Sequence, residues 1–118
     1  MELGARRERT QPPPPAVLWE TLVEPRRPGG RQWLVLVEDE VEPKVLRAER
    51  PSLVVWSSLW SDRRNDQIRF VITDDGGGGS RLKWVLETDD APPSPAVLGR
   101  MRYRINFLIN GEMRYSFG

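Results

Sequence analysis

The sequence has 118 residues, of which 18 are basic and 17 acidic, for a formal net charge of +1. That length suits one domain with a single core, and the balanced charge gives no overall field that would favour nucleic acid or an anionic membrane. Cysteine and histidine are absent, which excludes disulfides, Cys/His zinc sites and His-dependent catalytic triads. We therefore expect no metal and no cofactor, and any catalysis would depend on carboxylate, tyrosine, lysine or arginine.

The sequence also bears on location. No apolar run approaches the roughly 18 residues of a membrane-spanning helix, and residues 1–7 lack the apolar core of a secretory signal. With cysteine absent as well, we expect a cytoplasmic protein.

The first part of the chain predicts one short helix. Residues 1–11 are charged and alternate poorly, so an edge strand and a loose tail both fit them. A helix is predicted over 14–23, because the last proline of the run Pro12–Pro15 can begin a helix and the apolar side chains that follow recur at helical spacing. Pro25 ends it.

Antiparallel strands are predicted within residues 32–88. The apolar run Trp33–Val37 suggests a first strand, and Val41–Glu49 suggests an edge strand because it contains Pro43. The strongest strand signal is Leu53–Trp60, which is rich in β-branched and aromatic residues. Two further strands alternate apolar and polar positions around a glycine-rich hairpin tip; their apolar residues are Ile68, Phe70, Ile72, Leu82, Trp84 and Leu86.

The last quarter of the chain predicts a long amphipathic helix over 94–116. Ser94 is a suitable N-cap, and Pro95 suits the first helical position. One side of the helix carries an apolar stripe, formed by Val97, Leu98, Met101, Ile105, Leu108, Ile109 and Tyr115. Glu112 falls near the middle of that stripe, where a carboxylate is costly unless it is paired.

These segments resemble the START-like (SRPBCC) superfamily, which includes polyketide cyclases and dehydrases, Bet v 1-like proteins and Hsp90-activator homologues. The resemblance rests on the proline-started helix with Trp19, the strand pair Val41–Pro51 and Leu53–Ser57, the glycine hairpin into Ser80–Trp84, and the long final helix. It implies a single START-like domain over 1–118 of class α+β. The expected fold is the helix-grip, a curved antiparallel sheet wrapped around a long C-terminal helix, with a short N-terminal helix. The chain departs from the family in its short, charged first strand, in having one helix between the first two strands, and in its compact length.

The resemblance further implies an apolar ligand held between the sheet and the C-terminal helix, either for binding alone or for cyclase- or dehydrase-like chemistry. Ser58 between two tryptophans suits a cavity with polar anchors, although a plain core with Ser58 bonded to backbone also fits. Glu112 is the candidate acid or base, with a pKa raised by burial; its alternatives are an ion pair with Arg104 or a hydrated helix end. The candidate ligand-binding residues are Trp56, Ser58, Trp60, Phe70, Trp84, Met101, Ile105, Leu108 and Glu112.

A second hypothesis is a protein-interaction module resembling the Hsp90-activator homologues, with a closed core and no ligand. Tyr103 and Phe107 lie on the helix flank, and their exposure would favour it. Nucleic acid is not expected as a partner, because the arginine-rich segments have no interleaved aromatic residues to stack on bases. The expected partner is a hydrophobic small molecule or a protein, and the expected state is a monomer or weak dimer.

Overall fold

The fold is built on one antiparallel sheet of five strands. The computed structural model describes residues 1–117 and, for residues 4–6, the backbone alone. The strands are β1 (Glu2–Gln11), β2 (Val45–Glu49), β3 (Leu53–Ser57), β4 (Gln67–Asp74) and β5 (Ser80–Glu87). Their order in the sheet is β1-β5-β4-β3-β2, so the chain's first strand pairs with its last, and β1 and β2 form the edges.

The N-terminal segment forms a strand rather than a tail. Backbone pairing of β1 with β5 continues from Arg6 to Gln11, after an irregularity between Glu2 and Arg6. Helix α1 (Pro15–Val23) follows at once and buries Leu18 and Leu22. Two tryptophan indoles hold α1 against the sheet. Trp19 Nε1, on the helix, donates to the Leu53 carbonyl at 3.0 Å, and Trp56 Nε1, on β3, donates to the Leu22 carbonyl at 2.8 Å.

The strand predicted at Trp33–Val37 does not form. Trp33 and Leu34 are consecutive and both buried, whereas neighbouring side chains of a strand point to opposite faces. The Val35 amide donates to the Trp33 carbonyl at 2.9 Å, and this tight turn lets both side chains enter the core. The next predicted strand is also shorter than expected, since it begins at Val45, after Pro43.

The C-terminal helix runs over residues 95–116 in three segments: α2 (Pro95–Asn106), a π-helical turn (Phe107–Met113) and α3 (Arg114–Ser116). Its predicted start is confirmed, since Pro95 is the first helical residue and the Val97 amide donates to Ser94 Oγ at 3.3 Å. Within residues 1–117, no helix is both long enough and apolar enough to cross a bilayer.

The π-helical turn changes which residues the end of the helix buries. Its i→i+5 hydrogen bonds advance each residue by a smaller angle than an α-helix does. The buried position expected for Glu112 is therefore taken by Met113, and Glu112 is only half-buried. Tyr115, which was expected in the apolar stripe, is 68% exposed.

The core lies between the helix-facing side of the sheet and the apolar stripe of the C-terminal helix. Trp56 is at its centre, stacked on Trp33 with ring centroids 6.1 Å apart and edge-on to Phe70 at 4.8 Å. The helix contributes Met101, Ile105, Leu108, Ile109 and Met113.

One glycine of the β4–β5 hairpin is held close to the end of β1. A Cβ at Gly79 would lie 2.6 Å from the Gln11 carbonyl oxygen and 3.1 Å from that of Pro12, both backbone atoms. The nearest atom to a Cβ at Gly77 is a side-chain oxygen of Asp75 at 3.6 Å, an ordinary contact.

We expect Gly79→Ala to destabilise the protein by about 1–3 kcal/mol, because two strand ends must move apart to admit the methyl group. Gly77→Ala is the matched control and should change stability by less than about 0.5 kcal/mol. Urea denaturation of both variants measures the difference. Equal stabilities would contradict the close approach of the hairpin to β1.

Candidate functional site

Most of the predicted ligand-binding residues are core residues. Each is at most 1% exposed and packs in a single apolar cluster: Trp56, Phe70, Trp84, Ile105 and Leu108. Their side chains occupy the space between the middle of the helix and the sheet, where the ligand was expected. Ser58 is bonded locally, since its Oγ accepts from the Trp60 amide at 3.0 Å and donates to the Trp60 carbonyl at 3.1 Å.

An open cleft of about 530 Å³ lies instead at the start of the C-terminal helix. Trp60 and Met101, two of the predicted ligand-binding residues, form part of its wall. The other lining residues are Val37, Asp39, Glu40, Asp62, Arg63, Ala96, Val97, Gly99, Arg100, Tyr103 and Arg104. We call this space the α2 cleft.

Three segments position the walls of the α2 cleft. The N-cap at Ser94 fixes the first turns of α2. Trp60 leads into a single 3₁₀ turn (Ser61–Arg63). Opposite them, the loop ending at Glu40 is joined to Trp60 by an isolated bridge, and the Val41 amide donates to the Leu59 carbonyl at 2.7 Å.

A buried ion pair joins that loop to the helix. Arg104 Nε lies 2.7 Å from Glu40 Oε2 and Arg104 Nη2 lies 2.9 Å from Oε1, so the two side chains meet through two parallel hydrogen bonds. Glu40 has no exposed side-chain surface, and Oε1 also accepts the Val37 amide at 3.0 Å. The hydrogen bonds to Glu40 raise the pKa of Arg104, against the opposing effect of burial.

A second ion pair supports the opposite wall. Arg63 donates to both carboxylate oxygens of Asp66, at 2.9 and 3.0 Å, and to the Ala91 carbonyl at 2.9 Å. The Asp66 side chain is fully buried, and its hydrogen bonds raise the pKa of Arg63. Two of the three arginines of the α2 cleft therefore have fixed counter-charges, while Arg100 is exposed and forms no ion pair within the described part of the chain.

Glu112 lies outside the α2 cleft. It is half-buried on the π-helical turn and is not among the lining residues. Its predicted partner, Arg104, is bound to Glu40 instead. The sequence pointed to Arg104 as a candidate partner of Glu112, but Arg104 pairs with a carboxylate 64 residues away, in an irregular loop that carries no local signal.

No metal centre is formed by the described residues, since nowhere in 1–117 do three or more acidic side chains gather in a way that could hold an ion.

Three solved proteins have a similar fold. CalU16 from Micromonospora echinospora superposes with a TM-score of 0.64 and 14% identity over 94% of this chain and 78% of that one. Ara h 8.0201 gives 0.61 and 19% over 95% of both chains. The Aha1 dimer from Colwellia psychrerythraea gives 0.59 and 10% over 91% of this chain and 96% of that one. The sequence itself matches no protein-family model and no curated protein.

We expect Glu40→Gln to destabilise the protein by about 3 kcal/mol, because Arg104 is then left largely buried without its counter-charge. Glu42→Gln is the matched control. It removes a carboxylate from an ion pair with Arg26 in which both side chains are about half exposed, so a change of at most about 1 kcal/mol is expected. Urea denaturation measures both. Equal losses would mean that the buried pair does not hold the wall of the cleft.

Proposed function

Because this protein has the START-like helix-grip fold, we propose that it binds an apolar or aromatic small molecule, and that the α2 cleft is the binding site. This moves the site from the middle of the sheet, where the sequence placed it, to the start of the C-terminal helix. Trp60 and Met101 remain as predicted contacts. The buried aromatic residues beneath them support the wall.

The observation that carries the proposal is the combination of apolar wall and fixed charge in one cleft. Trp60 is 6% exposed and Met101 3%, so both are held in place by the core while they border the open space. The volume of about 530 Å³ falls in the usual range for small-molecule sites, roughly 300–1,000 Å³. An aromatic ring placed against Trp60 would bury apolar surface on both partners.

The two paired arginines of the cleft suit binding of a polar group rather than proton abstraction. Arg63 and Arg104 stay protonated, because ion pairing raises the pKa of each, and a protonated arginine cannot act as a base. Both can orient a polar group of the ligand. Arg100, Asp39 and Asp62 at the exposed rim complete the set of charges that would meet such a group.

A substitution that fills the α2 cleft tests this proposal. The probe is 1-anilinonaphthalene-8-sulfonate, whose fluorescence increases in apolar surroundings. We expect saturable binding that Ala96→Trp weakens by about tenfold or more, which is about 1.4 kcal/mol, because Ala96 is an exposed lining residue and the new indole occupies the space.

The control is Ala48→Trp, which adds the same side chain to an exposed position of β2, away from the cleft. Thermal melts of both variants establish that they fold. If the two variants bind the probe equally well, the α2 cleft is not the site and the proposal fails.

A second candidate function is protein interaction, and one observation favours it. Tyr103 and Phe107 are 67% and 40% exposed, and their rings stack with centroids 6.2 Å apart. Stacked aromatic rings on an exposed helix flank are typical of interfaces. The occupant that we propose is a second copy of this chain, which agrees with the dimer in which Aha1 was solved.

Sedimentation equilibrium tests the second candidate. We expect concentration-dependent self-association that the double substitution Tyr103→Ser/Phe107→Ser abolishes, because it removes the apolar area of the contact. Tyr115→Ser removes another exposed aromatic side chain, 68% exposed, and should leave association unchanged. A monomer at all concentrations would contradict the proposal.

A further inference from the structure

The edge strand β1 presents basic side chains to the C-terminal helix. Residues that face each other across an antiparallel pair lie on the same side of the sheet. Arg7 is opposite Trp84 and Arg9 is opposite Leu82, and both partners on β5 are buried in the core. Arg7 and Arg9 are therefore on the helix side of the sheet, although they are themselves exposed at its edge.

The C-terminal helix carries a row of four polar residues along one side. It consists of Arg102, Asn106, Asn110 and Arg114, at four-residue spacing. Asn110 accepts a hydrogen bond from Gln11 Nε2 at 2.7 Å and donates to Asn106 Oδ1 at 2.8 Å. Arg114 Nε donates to the Thr10 carbonyl at 3.3 Å. These bonds join the helix to β1 at the C-terminal end of the row and fix the orientation of the Asn106 amide.

Toward the N-terminal end of the row, part of the space between β1 and the helix is unfilled. This gap of about 230 Å³ is lined by Arg7, Trp84, Gly99, Arg102, Tyr103 and Asn106. No carboxylate is among the lining residues. Within residues 1–117, neither Arg7 nor Arg102 forms an ion pair, so two positive charges border this gap without a counter-charge.

One of the lining residues, Trp84, has an indole N–H without an acceptor. Trp84 is 1% exposed, and its Nε1 is buried with no hydrogen-bond partner among the described residues. Buried indole N–H groups usually have a partner. This one stands in contrast to Trp19 and Trp56, whose indoles both donate to backbone carbonyls. Asn106 is half-buried. Its Oδ1 accepts the Asn110 amide, and its Nδ2 makes no hydrogen bond with the described residues.

We propose that this gap binds a small oxyanion, the shared chemistry of a carboxylate and a phosphate group. Arg7 and Arg102 supply the counter-charge, while Trp84 Nε1 and Asn106 Nδ2 donate hydrogen bonds to the oxygens. Trp84 Nε1 has almost no accessible surface in this structure, so anion binding requires the exposed side chains of Arg7, Arg102 and Tyr103 to rearrange around the anion and uncover it. Trp84 and Asn106 themselves are held by the core and by the Asn110 hydrogen bond. The site shares the lining residues Gly99 and Tyr103 with the α2 cleft, but none of its four proposed anion-binding groups lines that cleft.

The Trp84 indole resonance in an ¹H–¹⁵N NMR spectrum reports on this site directly. Trp84→Phe identifies the resonance. Inorganic phosphate and acetate are titrated separately, with ionic strength held constant by sodium chloride. We expect at least one of them to shift the Trp84 resonance saturably, with a Kd of about 10 mM or tighter, and the anion that does so identifies the preferred oxygen chemistry.

Charge-matched variants separate a site from general electrostatics. Arg102→Gln should weaken binding by about tenfold or more, because a charge-assisted hydrogen bond is lost. Arg64→Gln removes the same charge from an exposed position that lines neither the gap nor the α2 cleft, and should bind as the unmodified protein does. The proposal is overturned if neither anion shifts the resonance saturably, or if Arg64→Gln weakens binding as much as Arg102→Gln.

Discussion

The burial of one stripe of the C-terminal helix against the sheet is the contact on which the rest of the structure depends. The sheet has one apolar face, and the helix has five fully or almost fully buried side chains that cover it. Each large apolar side chain removed from water stabilises the fold by about 1.5–3 kcal/mol. Two open spaces border the same helix. The α2 cleft lies toward the irregular loop, and the gap lined by Arg7 and Arg102 lies toward the edge strand β1.

The pairing of the charged residues follows from this arrangement. Where the helix leaves the sheet, its polar residues need other partners, and the distant loop supplies one in Glu40. A buried pair of this kind gives less stability than its short distances suggest, because both groups lose their hydration. Its structural effect is to fix the loop against α2, which keeps the wall of the cleft in one position. Among the described residues that line the gap between β1 and the helix, no carboxylate plays that part.

Local signals in the sequence predicted the helix start and the main strands well. Ser94 and Pro95 mark the helix start by chemistry that needs no tertiary contact, and the alternation around Phe70 and Trp84 assigns their buried face. The site was harder to predict because it depends on contacts between distant segments. Trp33 and Leu34 enter the core together through a turn that no periodicity indicates, and Glu40 meets Arg104 across 64 residues.

The π-helical turn gives Glu112 a role in selecting the winding of the chain. If residues 107–113 formed a regular α-helix, this carboxylate would enter the core beside Ile105 and Leu108, since it lies seven and four residues from them, and Met113 would move toward the edge of the stripe. Burying an unpaired carboxylate costs several kcal/mol. The side chain therefore acts against the alternative winding by its unfavourable energy there, and in the native winding it forms no ion pair with the described residues. An apolar residue at this position would remove that penalty, so the charge of Glu112 favours the π-helical winding of the helix end over the regular one.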